Sequence, residues 1–167
     1  WRMDFTGEGN PAGTTLMGDR HDPMLTYAFA VLAANKEART HGAHATVGRV
    51  AVHPNATNAI PSRVTGWLDA RAASAAGLET LVAGLSTKIA ARAAKDGTTV
   101  TITAESATGE IGFSDRLIDR CGTVLGEKTP VLPTGAGHDA GVLSAFVPTV
   151  MLFVRNPTGV SHAPAER

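Results

Sequence analysis

The sequence predicts an α+β protein, a mixed α/β chain built in two parts, and three observations carry that expectation. Segments of alternating apolar residues and segments of helical apolar spacing follow one another as strand, helix, strand, strand, helix, strand over residues 1–107. From residue 113 the pattern changes to a helix, a glycine-rich turn and a nearly continuous apolar run. The 167 residues allow one good core or two small ones.

The first strand is short, with Met3 and Phe5 alternating against polar neighbours. The turn-rich stretch GEGNPAGTT follows it. Asp22-Pro23 then supplies an N-cap and a proline at the first helical position, and Leu25, Ala28, Phe29 and Leu32 recur at helical spacing until Gly42. ATVGRVAVHP sets Val50 and Val52 on one side of a second strand. SRVTGWLDARA sets Val64, Leu68 and Ala70 against Trp67 on a third, and NATNAIP joins the two. A second helix over 75–95 carries Leu78, Leu81, Val82, Leu85 and Ile89 on one stripe and stops at Asp96-Gly97. TTVTITAES closes the set with Val100 and Ile102 inward. This order, βαββαβ, is that of a ferredoxin-like split βαβ unit. ATGEIGF follows as a hinge. Ser114 is placed to cap a helix bearing Leu117, Ile118, Cys121 and Leu125, and TVMLFV has the composition of a strand buried on both faces. Residues 113–167 therefore resemble the tail of a larger α/β domain.

Fifteen Lys and Arg against fifteen Asp and Glu leave no net charge, and no basic run interleaves with aromatics, so nucleic acid is not an expected partner. No apolar run approaches a spanning helix, so no membrane is expected. A single cysteine excludes an internal disulfide framework and fits a reducing, cytoplasmic compartment. Both ends are abrupt, Trp1 in a strand already in progress and Arg167 directly after a loop. The expectation is one piece of a longer protein.

The residues with chemical potential are few. His162, just past the apolar run, suits a metal ligand through one imidazole nitrogen, although a loop histidine alone is more often solvated. Gly135 to Gly137 precede His138 and Asp139 in a turn whose amides suit a carboxylate, or which simply passes into a helix capped by the aspartate. Asn58 lies in the loop before the third strand and Arg71 ends that strand. The pair offers an amide donor for a developing oxyanion and a planar fork for a carboxylate. Their bland readings are a turn residue and a solvated strand end. His21, His41, His44 and His53 have no spacing that places them on one face and are expected at the surface. GEGNPAG is not a dinucleotide fingerprint.

Taken in order, GNPAGTTLMGDRHD, NATNAIPSRVTGWLDAR, GAGHDA and FVRNPTGVSHAPAE resemble the two-metal amidohydrolases that cleave N-carbamoyl-L-amino acids, allantoate and ureidopropionate, relatives of aminoacylase and of carboxypeptidase-type metallopeptidases. The resemblance spans almost the whole chain. It implies a ferredoxin-like lid and dimerisation domain over residues 1–107, followed over 113–167 by the C-terminal part of an α/β zinc-peptidase-like catalytic domain. It further implies two divalent ions in the intact enzyme, of zinc, manganese, cobalt or nickel, and a homodimer formed through the lid. By that similarity His162 matches the last metal ligand, and Arg71 with the backbone of Gly137 matches the clamp on the substrate carboxylate. Asn58 matches the lid residue that hydrogen-bonds the carbamoyl oxygen, and His138 shapes the turn. Closure of the lid is then expected to bring Arg71 and Asn58 onto one substrate.

Two departures stand out. Pro11 replaces the histidine that the family carries as an oxyanion donor reaching the partner subunit's site, a loss worth about 100- to 1000-fold in rate at comparable sites; His21 is the one nearby substitute. The N-terminal catalytic segment that would bear the other metal ligands and the general-base carboxylate is absent from these residues, so the chain alone is expected to be inactive. The leading expectation is hydrolysis of the carbamoyl C–N bond of an N-carbamoyl amino acid or related ureido acid. The alternatives are an N-acyl-amino-acid or dipeptide hydrolase of the same superfamily, and a non-catalytic dimerising or binding module.

Overall fold

Met3 and Phe5 alternate with polar neighbours, and the computed structural model of the chain, which describes residues 1–126, 128–164 and 166, buries both completely. They lie on β1 (Arg2–Thr6), which pairs antiparallel with β3 (Arg63–Arg71) on one side and β4 (Thr99–Thr103) on the other. β2 (His44–His53) pairs antiparallel with β3, giving the sheet order β2-β3-β1-β4 of the split βαβ unit. Phe5 stands opposite Val64 and Val100, and Met3 opposite Gly66 and Ile102, so one face of the sheet is apolar across its central strands. Gly66 is required by close packing: a Cβ there would lie 2.7 Å from a ring carbon of Tyr27, which sits edge-on to Phe5.

Two helices cover that face. α1 (Pro23–Thr40) starts where the Asp22 carboxylate accepts a 2.8 Å bond from the Met24 amide. α2 (Ala75–Asp96) starts with the Ser74 hydroxyl accepting from Gly77 and ends at Gly97, whose left-handed φ of 67° closes the helix. Leu81, Leu85, Ile89 and Ala93 form the buried stripe of α2. On α1 the expected apolar face is corrected. Leu25, Ala28 and Leu32 face outward, and the buried residues are Pro23, Thr26, Ala30, Ala33, Ala34, Glu37 and Ala38. Small side chains let α2 approach closely, so the alanines take the inner face and the larger leucines are displaced. Glu37, buried where the helices meet, is ion-paired with Lys88 of α2.

The chain divides into two compact units, Trp1–Glu110 and Ile111–Arg167. In the second, α3 (Asp115–Leu125) and α4 (Asp139–Leu143) are the helices among the described residues. Ser114 holds the N-cap position of α3 but its side chain makes no capping bond. His138, not Asp139, holds the cap position of α4. The apolar run over 149–154 forms no strand, contrary to expectation, and Leu152, Phe153 and Val154 are exposed. A strand exists only through the neighbour that pairs its backbone, and no described residue supplies one. None of the described residues of this unit is buried.

Candidate functional site

Strand β3 places two of the expected site residues, and its length keeps them apart. Arg71 is its last residue, paired across the sheet with His44 at the first residue of β2. The guanidinium grips Asp69 two residues back, Nε to Oδ1 at 2.8 Å and Nη2 to Oδ2 at 2.7 Å. The period of two puts both side chains on the same face of β3, which is why this i, i+2 fork forms. The hydrogen bond and charge of Arg71 hold the Asp69 carboxyl below the usual aspartate range, and Asp69 raises the guanidinium in turn. Both side chains are about half exposed, so the fork stands at the surface with its orientation fixed.

Asn58 lies in the β2–β3 connection, at the Arg63 end of the strand. Eight residue steps of β3 separate that end from Arg71, about 27 Å at strand rise. Within one chain, then, the length of β3 lies between Arg71 and the turn that carries Asn58. What does meet Asn58 is the loop containing Pro11. The Ala12 amide donates to the Asn58 carbonyl at 3.0 Å, and the Ile60 amide donates to the Asn10 carbonyl at 2.8 Å. Pro11 and Ala59 face each other between those two bonds as an isolated antiparallel bridge. The two bonds use the amides of Ala12 and Ile60, so proline's missing N–H at position 11 breaks no rung.

The same loop is held from its other side by Arg20. Its Nη2 donates to the carbonyls of Ala12 at 2.7 Å and Thr15 at 3.0 Å, and its Nε donates to Thr15 at 3.1 Å. Neither Arg20 nor Asp69 was singled out by the sequence. The only available signal for Asp69 was the D-x-R spacing on an alternating strand, and Arg20, whose partners are backbone carbonyls, left none. His21, the suggested stand-in for the histidine lost at position 11, is engaged elsewhere: Nδ1 lies 3.3 Å from Glu8 Oε1, and the ring lies against Gly97.

In the second unit, His138 Nε2 lies 3.4 Å from the Thr134 hydroxyl, which also accepts the Ala136 amide at 3.2 Å and so knits the glycine turn. Among the described residues, its two chain neighbours apart, nothing lies within 4 Å of a Cβ placed on Gly137, which is exposed. His162 is exposed, has a left-handed φ of 56°, and donates its amide to Glu166 Oε2 at 2.9 Å. A groove of about 400 Å³ lies between Gly112–Ser114 and Ser144–Thr149, lined by none of Gly137, His138 or His162. No group of three or more His, Cys, Asp or Glu able to hold a metal ion forms among the described residues. His162 alone does not fit a two-metal centre. Among the described residues no helix is long and apolar enough to cross a membrane.

Comparison with known proteins agrees with this architecture. No family model matches the chain. It is 31% identical over 175 residues to allantoate amidohydrolase of Escherichia coli, covering all of this chain and 42% of that protein. It is 31% identical over 169 residues to N-carbamoyl-L-amino acid amidohydrolase of Geobacillus stearothermophilus, covering 99% and 41%. The crystal structure of a hydantoinase/carbamoylase family amidase from Burkholderia vietnamiensis superposes with a TM-score of 0.86 at 32% identity, covering 99% of this chain and 41% of that one. The chain thus spans about two fifths of the length of the relatives it matches. By sequence and by fold it is a homologue, along its whole length, of the allantoate and N-carbamoyl-L-amino acid amidohydrolases and of the hydantoinase/carbamoylase family amidases.

Proposed function

We propose that this chain is the lid, over residues 1–107, and the C-terminal catalytic segment, over 113–167, of an amidohydrolase that cleaves the carbamoyl C–N bond of N-carbamoyl-L-amino acids or related ureido acids. The observation that carries the reading is the end-to-end match of the chain to enzymes named for that chemistry. The local geometry supports it. Arg71, oriented by Asp69, presents a charged planar donor suited to a substrate carboxylate. The open backbone of Gly137 provides a second place for that carboxylate to approach, with His138 at the N-cap position of the helix behind it. The Asn58 amide donates to the carbamoyl oxygen as negative charge develops there, without changing charge itself. His162 is the residue offered to metal in the complete enzyme.

The length of β3, which lies between Arg71 and the turn that carries Asn58, gives the reading its quaternary form. If both serve the same small substrate, they come from two copies, Arg71 from one subunit and Asn58 from the other. The β2 edge and the exposed Leu25 and Leu32 of α1, the helix packed over β2, support a homodimer on that side of the lid.

The test is a substrate panel on the full-length protein: N-carbamoyl amino acids, allantoate and ureidopropionate against N-acetyl amino acids and dipeptides, each also offered as its carboxamide. The reading predicts turnover of the ureido acids and at least tenfold weaker use of the carboxamides, which lack the charge that Arg71 pairs. Preference for N-acetyl substrates moves the protein to the aminoacylase side of the superfamily. No turnover of any substrate by metal-loaded protein favours a binding module.

A further inference from the structure

Among the described residues, the arginine at position 20 makes three hydrogen bonds, all to backbone carbonyls of one short loop, and none to a carboxylate. Arginines that serve only as surface charge do not fix a turn in this way. The turn they fix is built from residues 11–15, closed on itself by the Thr15 hydroxyl donating to the Pro11 carbonyl at 2.8 Å. Ala12 is the shared residue: its carbonyl accepts from Arg20 at 2.7 Å and its amide donates to the Asn58 carbonyl at 3.0 Å. A continuous hydrogen-bonded path therefore runs from the guanidinium through one peptide unit on each side of Ala12 to the backbone of Asn58.

Asn58 itself is exposed in a turn, and among the described residues its side chain makes no hydrogen bond. Its placement rests on backbone: the Ala12 bond, the Pro11–Ala59 bridge and the Ile60–Asn10 bond. Proline at position 11 brings no side-chain hydrogen bond to the loop, and Arg20 holds it through the Ala12 and Thr15 carbonyls. We propose that Arg20 is a positioning residue, which sets the 11–15 loop and through Ala12 fixes the turn that presents Asn58 to the substrate's carbamoyl group. The inference rests on the amidohydrolase reading for its consequence in turnover, and on the hydrogen bonds alone for its consequence in structure.

The experiment uses the full-length protein with Arg20→Ala, Arg20→Lys, Asn58→Ala and the Arg20→Ala/Asn58→Ala double variant. Amide hydrogen exchange is read at Ala12 and Ile60, with Ile89 in the α2 core as control. Arg20→Ala is expected to speed exchange at Ala12 and Ile60 at least tenfold and leave Ile89 unchanged, with Arg20→Lys restoring part of the protection. Unchanged exchange at both loop amides, or an equal rise at all three, overturns the positioning role. In turnover of an N-carbamoyl amino acid, Arg20→Ala is expected to lower kcat about ten- to hundredfold with little change in KM. The double variant is expected to be no worse than Asn58→Ala alone, because both act through one group. Losses that multiply overturn the coupling to Asn58. Should Asn58→Ala leave turnover untouched, the functional reading of Asn58 fails, and the exchange data still decide whether Arg20 sets the turn.

Discussion

Arg71 and Asp69 show how one residue's neighbour fixes what the residue can do. A free arginine at a strand end samples many rotamers, whereas the fork on Asp69 holds the guanidinium plane in one direction before any ligand arrives. Because both side chains are about half exposed, the pair contributes little to stability, about 0.2–1 kcal/mol after screening. The sign of its pH dependence follows from the depressed carboxyl. A group whose folded pKa lies below its unfolded value stabilises the fold above the unfolded value, here the ordinary 3.8, and loses that contribution as pH falls through the folded pKa. Asp69→Asn is therefore expected to lower the melting midpoint slightly at pH 7, with the gap from wild type closing as pH drops below 3.8. A gap that stays constant down to acid pH, followed by circular dichroism melts, contradicts the pairing. Of the site, Asn58 and Arg71 were legible as residue types in context. The distance between them was not, because it depends on which ends of β3 they occupy and on the strand's rise.

At the scale of elements, the four strands and two long helices of the first unit follow from short-range signals. Period-two alternation, the Asp22-Pro23 and Ser74 starts and the Gly97 stop are each decided within a few residues. Which face of α1 turns inward was not legible. Spacing favoured Leu25 and Leu32, yet the choice belongs to α2, against which α1 turns a face made mostly of alanines, with Thr26 and Glu37 among them. The displaced leucines then have a consequence. Leu25 is 48% and Leu32 72% exposed, on the helix that packs over the edge strand β2. An apolar pair beside an unpaired edge is the surface on which a second copy is expected to dock. Leu32→Lys is predicted to shift the full-length protein from dimer to monomer in sedimentation velocity, with the fold intact because the residue is not in the core. A wild-type monomer, or a variant dimer of unchanged stability, contradicts that surface.

On the scale of the whole molecule, the two units differ in self-sufficiency. The first buries Met3, Phe5, Val64, Leu85 and Ile89 around one sheet, whereas none of the described residues of the second is buried, and Phe146 and Val154 are 81% and 91% exposed. The run over 149–154 was read as a buried strand for its composition, and composition is a statement about what a strand would need: paired neighbours on both edges and cover on both faces. Those contacts are non-local and lie outside what a linear pattern states. In the proposed enzyme, the second unit completes its core against the remaining part of the catalytic domain, and the first completes its active site against a second copy.

That last requirement is the most direct point at which to test the account. Asn58→Ala and Arg71→Ala variants of the full-length protein, each expected to be strongly impaired as homodimers, are co-expressed so that mixed dimers form, and hydrolysis of an N-carbamoyl amino acid is measured. Random mixing makes half the dimers mixed, each with one site that has both residues intact, so recovery to about a quarter of wild-type activity is predicted. Activity that stays at the level of the separate variants would contradict a substrate site shared between Arg71 of one subunit and Asn58 of the other.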